Sequence, residues 1–284
     1  MGFAAIYVSE EHGGVGLGRL EASLVFEALA TGCVGSSAYL SIHNMCSWMI
    51  DTYGTEEQKK TYLPDMCTME RLSSYCLTEP NSGSDAASMK TTAVDKGDHW
   101  LMNGSKMFIS GAGASGVYIV MALSGENEIS CFIVDGDSKG IEYGANEDKM
   151  GWNVQPTKLI SFDNVKVPKN NLLGGKGNGF KIAMSGLDGG RINIASCSLG
   201  GAAFCLETAK EYIKVRKQFG KPLSDNQYLQ FKLAEMATDL ETSRLMVRHA
   251  ARMVNDKTPN YTMYAAMAKK FATERCMSVV NYSL

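Results

Sequence analysis

Helical spacing of apolar residues stops near Leu72 and returns only after Gly179, and this interruption constrains the fold more than any other feature of the 284 residues. From Arg19 onward Leu20, Leu24 and Leu29, then Leu40, Met45, Trp48 and Met49, recur at helical intervals. Thr55 followed by Gln58 makes a capping box, and Pro64 is expected to stop the helix it opens. The pattern then changes to short β-rich runs: Ser73 to Leu77, Lys90 to Val94, Trp100 to Met102, Met107 to Ser110, Val117 to Leu123, Ile129 to Val134 and Lys158 to Phe162. Asn103-Gly104 and Asp135-Gly136 supply the positive φ that tight turns require. No helix-length pattern separates the strands, so β-α-β crossovers are excluded and an antiparallel sandwich or small barrel is expected. Beyond the joint at 174–179, helical spacing resumes over Ile192 to Arg216, Asn226 to Val254 and Tyr261 to Leu284. Gly220 and Pro222 close the first of these helices, and Ser224 with Gln227 reads as a second capping box. The chain is thus expected to be a multidomain α+β protein: a helical domain over 1–72, a β domain over 73–172 and a helical bundle over 173–284.

Composition narrows the function. With 28 basic against 30 acidic side chains the formal charge is −2, which excludes a strongly electropositive nucleic-acid surface. The longest uncharged stretch, Ala28 to Ile50, is broken by Gly32, Gly35, His43 and Asn44, so no membrane span is read. The eight cysteines never approach C-x-x-C spacing and read as reduced, buried thiols, and the four histidines show no metal spacing. The first basic residue is Arg19, so neither a secretory nor an Arg-rich transit pattern is seen. The run Ala265, Ala268, Ala272, Cys276, Val279 reaches the end without a stop signal. Both ends therefore read as cut, with a partial first domain and an incomplete four-helix bundle.

Gly111-x-Gly113-x-x-Gly116 matches a dinucleotide fingerprint, but Val117 to Met121 after it reads as a strand, and the fingerprint needs a helix there. The run Tyr75 to Asp85 differs: a strand end, Pro80 and a small-residue turn offer amides and hydroxyls to an acceptor-rich ligand. Together with Lys106-Met107-Phe108-Ile109-Ser110-Gly111, it resembles the two flavin-binding segments of the acyl-CoA dehydrogenase family. Glu11 to Gly18, Leu187-Asp188-Gly189-Gly190-Arg191 and Arg216 to Leu223 follow in family order. The resemblance implies an N-terminal helical domain, a middle β domain and a C-terminal four-helix bundle, in agreement with the periodicity.

The resemblance also implies FAD as cofactor, with Tyr75, Cys76, Leu77, Thr78, Ser82, Gly83 and Ser84 lining it. Phe108, Ile109 and Ser110 would cover the flavin face opposite the substrate, and Arg216, Phe219, Asn226 and Gln227 would hold the FAD of a neighbouring subunit, which implies an oligomer, a homotetramer by the resemblance. Ser84, Asp188, Gly189, Gly190 and Arg191 would contact the acyl-CoA. Asn153 and Gln155, within Gly151 to Thr157, look most like the branch of the family that converts isobutyryl-CoA to methacrylyl-CoA in valine breakdown. That branch implies the mitochondrial matrix and an electron-transfer flavoprotein as partner. The family's catalytic glutamate is expected beyond Leu284, and its alternative position is Gly190, while Glu79, Asp85 and Asp188 read as capping or turn residues. A non-catalytic FAD-binding product and an acyl-CoA oxidase relative are the competing readings.

Overall fold

In the computed structural model, which describes residues 2–284, the N-terminal helices are α1 (Arg19–Ala30), α2 (Val34–Tyr53) and α3 (Glu56–Thr68). The Thr55 box forms as its sequence dictates: the Gln58 N–H donates to the Thr55 hydroxyl and the Gln58 side chain accepts from the Thr55 N–H. Pro64 does not stop α3, which continues to Thr68 and ends at Met69 in the left-handed region. A proline interrupts one hydrogen bond of the ladder, and burial of Tyr62, Leu63 and Met66 on either side of it outweighs that loss. In α1 the expected leucine stripe is not the buried one. Ala22, Phe26 and Ala30 are buried, whereas Leu24 is 53% exposed.

The strands are β1 (Ser73–Cys76), β2 (Thr92–Asp95), β3 (His99–Ser110), β4 (Val117–Gly125), β5 (Glu128–Asp135), β6 (Ile141–Asn146), β7 (Thr157–Pro168) and β8 (Leu172–Leu173). They form one sheet in the order β6-β7-β3-β2-β4-β5-β8, with β1 paired to β4. The purely antiparallel expectation fails at β4, which pairs in parallel with both β1 and β2. The return to a parallel partner is made by the β2–β3 excursion rather than by a helix. The two runs expected around Asn103-Gly104 are one strand: Gly104, at φ 140, sits at a register shift against β7, and its Cβ would meet Thr91. Gly136, by contrast, is not at positive φ; a side chain there would strike the Ser115 carbonyl.

The chain divides into two compact units, Met1–Leu17 with Tyr39–Leu187, and Gly18–Ala38 with Asp188–Leu284. In the first unit the sheet has a core on each face, sorted by the two-residue period of β4. Val117, Ile119 and Met121 pack with Met45, Met49, Leu63 and Ile182, while Tyr118, Val120 and Ala122 pack with Trp100, Met102, Phe132 and Val165. The second unit is built from α1, the later part of α4 (Gly179–Val215), α5 (Gln227–Asn255) and α6 (Tyr261–Tyr282). The expected α6 stripe of Ala265, Ala268, Ala272, Cys276 and Val279 is buried, against Leu240 and Val247 of α5 among others. Helix α4 ends at Val215, before Gly220, which at φ 76 turns the short hairpin β9 (Lys217–Gln218) and β10 (Lys221–Pro222). Ser224 and Gln227 form no capping box: Asn226 caps α5 by accepting from the Tyr228 N–H, because the turn Leu223–Asp225 occupies Ser224. All eight cysteines are free. Among the described residues no helix is long and apolar enough to cross a membrane.

Candidate functional site

The end of β1 and the middle of β3 lie side by side, the Met107 N–H donating to the Thr78 carbonyl at 2.8 Å. Period two along β3 puts Trp100, Met102 and Lys106 on the buried face, so a lysine is buried in line with core residues. Its ammonium has no exposed surface; it donates to the Glu79 carboxylate at 2.8 Å and to the Leu77 carbonyl at 3.1 Å. Glu79 also accepts from the Lys90 N–H at 2.6 Å and the Thr91 N–H at 3.0 Å. Burial alone would raise its carboxyl, but the Lys106 ammonium and these amides hold it below the usual carboxylate range. Glu79 is therefore no simple turn residue. The signal for it was Lys106, since a charge on the buried face of a strand requires a partner.

Beyond the pair, the Glu79 and Ser82 backbones bond each other in both directions, and the Ser82 hydroxyl donates to the Asp85 carbonyl, so one of the hydroxyls expected for a ligand is engaged. Thr78 is half-buried, and Gly83 and Ser84 are exposed. A Cβ at Gly83 would meet nothing, which leaves backbone open to close approach. Tyr75 and Leu77 pack on one face of the sheet, while the side chains of Cys76 and Ile109 belong to the core on the other.

Phe108 stands out of β3 at φ 58, 56% exposed, at a break in the β3–β7 register between Lys106 and Ile109. An aromatic ring held out of a strand at a positive φ is strained, and such strain marks functional positions. Ser110 follows, half-buried, its carbonyl accepting from the Ser74 hydroxyl. The next N–H, of Gly111, is shared between the Pro156 carbonyl at 2.8 Å and the Gln155 side-chain oxygen at 2.9 Å. Lys149 draws the same loop together, donating to the carbonyls of Trp152 and Gln155 and to the Thr157 hydroxyl at 2.8 to 2.9 Å. Gln155 thus holds the Phe108–Gly111 segment, and Asn153, exposed, donates to the Lys149 carbonyl.

In the second unit Asp188, Gly189, Gly190 and Arg191 lie within α4. Arg191 donates to Asp188 at 2.5 Å and Thr262 to the other Asp188 oxygen at 2.8 Å. Gly189 has a structural reason, because a Cβ there would lie 2.4 Å from the Arg19 guanidinium. Gly190 and Arg191 are half-buried; Arg216, Phe219, Asn226 and Gln227 are exposed around the β9–β10 hairpin, Phe219 at φ 53. The structure thus brings Tyr75–Ser84 and Phe108–Ser110 together in one unit, and carries 188–191 and 216–227 in the other.

A platform of bare backbone at Gly83, the exposed Ser84 hydroxyl, the half-buried Thr78 and Ser110 hydroxyls and an outward phenyl ring suits a large planar ligand with phosphate acceptors. The strand after Gly116 is β4, so the glycine triplet lacks the helix on which a dinucleotide pyrophosphate would rest.

Sequence-family profiles match three consecutive stretches: the acyl-CoA dehydrogenase N-terminal domain over residues 1–70, the middle domain over 74–165 and the C-terminal domain over 177–283. Mitochondrial isobutyryl-CoA dehydrogenases of Dictyostelium discoideum and Bos taurus are 53% and 51% identical to the chain, over all of it and 69% of their own length. The structure of butyryl-CoA dehydrogenase from Megasphaera elsdenii superposes with a TM-score of 0.95 at 40% identity, covering 99% of this chain and 76% of that one. An acyl-CoA dehydrogenase complexed with FAD from Bacillus anthracis gives a TM-score of 0.94 at 32% identity, covering 99% of this chain and 52% of that one.

Proposed function

The chain belongs to the acyl-CoA dehydrogenase family, and from that premise we propose that it desaturates a short branched acyl-CoA, isobutyryl-CoA, to methacrylyl-CoA. The observation that carries this reading is full-chain identity of 53% and 51% to two isobutyryl-CoA dehydrogenases. It is a flavoenzyme with FAD as cofactor, and FAD when bound supplies the acceptor for the hydride leaving the β carbon.

The working division is 1–72, 73–172 and 173–284. In the middle segment Tyr75–Thr78 and Ser82–Ser84 would hold FAD by backbone and hydroxyl groups, Cys76 contributing main chain because its thiol is in the core. Phe108 would cover the ring, Ser110 would bond its edge, and Ile109 would anchor the segment through the core. Arg216, Phe219, Asn226 and Gln227 would reach the cofactor of a second copy, so the working assembly is a homo-oligomer, taken as a homotetramer from the family resemblance. Ser84 and 188–191 would contact the acyl-CoA. The proton on the α carbon needs a carboxylate free to accept it. Glu79 is committed to Lys106, Lys90 and Thr91, and Asp188 to Arg191 and Thr262, so neither is assigned that role. Electrons would leave to an electron-transfer flavoprotein; the mitochondrial names of the closely similar relatives support a mitochondrial compartment, with the matrix as the working assignment within it.

The test is dye-linked turnover of the FAD-loaded protein over a panel of thioesters. Isobutyryl-CoA should give the highest kcat/KM, by a margin of about 10-fold or more, since one methylene contributes about 1 to 3 kcal/mol of discrimination. A preference for octanoyl-CoA would overturn the substrate, and binding of NAD instead of FAD would overturn the whole reading.

A further inference from the structure

We propose that the buried Glu79–Lys106 pair is a positioning device for the flavin site, clamping the Leu77–Ser84 run against the strand that carries Phe108. The proposal rests on reading that platform as the FAD site. Nothing about folding alone calls for this pair: two charges are costly to bury, and apolar residues of similar volume usually serve stability as well or better. Met89, whose sulfur lies 4.0 Å from the Lys106 ammonium, and Met102, at the same period of β3, are themselves apolar. What the pair adds is direction. Lys106 draws the Leu77 carbonyl inward at 3.1 Å, and because the peptide that follows is planar and trans, the Thr78 N–H is turned the opposite way, away from the ammonium. The Thr78 carbonyl in turn accepts from the Met107 N–H, one residue before Phe108. Glu79 fixes the far end of the run, its carboxylate gripping the Lys90 and Thr91 amides and its backbone closing the turn onto Ser82. Both cofactor-facing segments are therefore referred to one buried point.

Breaking the pair on one side leaves an uncompensated buried charge and risks the fold. The informative variant is the double neutral replacement Glu79→Gln with Lys106→Met, which removes both charges while the Gln oxygen can still accept from one of the Lys90 and Thr91 amides. Its FAD Kd, read by flavin fluorescence, should rise by about tenfold or more, and the visible flavin bands of the fraction that binds should shift. Turnover should fall in kcat with KM for the acyl-CoA held within about twofold. Hydrogen exchange on the wild-type protein tests the same idea without any variant: FAD should slow exchange at Lys90, Thr91 and Met107. The proposal fails if the folded double variant keeps FAD Kd and flavin spectrum within about twofold of wild type, or if FAD uptake leaves those amides unchanged. A wild-type protein that takes up no FAD would overturn the functional reading itself, a distinguishable result.

Discussion

At the scale of single residues, burial sets protonation and shape. His43 is buried in α2, Nε2 donating to the Met66 carbonyl at 2.8 Å and Nδ1 accepting from the Ser73 N–H at 3.1 Å. Burial lowers its pKa below the ordinary histidine value, the Met66 carbonyl opposing part of the shift. The unfolded chain therefore takes a proton first as pH falls, so His43's contribution is complete above about pH 6.5 and is lost progressively below it. Urea midpoints at about pH 7.5 and about pH 5.5 should show this loss, and His43→Gln should be less stable at the higher pH with a flatter slope. Gly111 gives a steric test. At φ 81, and with a Cβ at this position falling 2.2 Å from the Tyr39 hydroxyl, Gly111→Ala should cost about 2 to 4 kcal/mol in chemical denaturation. Lys106 could be read as buried from the period of β3, but its partner, 27 residues earlier in the chain, could not, because pairing across strands depends on register.

At the scale of elements, packing overrode local signals in two helices. Pro64 sits on the exposed side of α3, so Pro64→Ala should restore a backbone bond without disturbing the core and stabilise the protein by about 1 to 3 kcal/mol, read as a raised Tm. In α1 the leucines lost the inner face to a polar cluster: Glu27 accepts from Arg244 at 2.7 Å and from Arg248, which also donates to Ser23. Glu27→Gln leaves two guanidinium groups short of an anion and should destabilise by about 1 to 3 kcal/mol, most at low salt. Denaturation of this variant at two ionic strengths checks both the size and the salt dependence. The leucine spacing correctly announced a helix; it could not announce which face Arg244 and Arg248, more than 200 residues away, would claim.

At the scale of the whole molecule, α4 to α6 leave Phe204, Tyr212, Tyr228, Phe231 and Tyr282 exposed, more aromatic surface than an isolated soluble unit usually presents. Sedimentation should therefore find species heavier than 30.8 kDa, and Phe231→Glu with Tyr282→Glu should lower their fraction at equal protein concentration. The order of helical, β and helical segments, the capped start of α3 and the buried stripe of α6 were all legible in the residues alone, and the two runs proposed to hold the cofactor were singled out there. They are readable because side-chain period and capping chemistry act within a few residues. The parallel pairing of β4 with β1 and β2, the single strand through Asn103-Gly104, the inward face of α1 and the union of Glu79 with Lys106 emerged only in the folded chain. Each of those depends on which distant surface a segment meets, and burial free energy gathered over many contacts exceeds the propensity of any one residue.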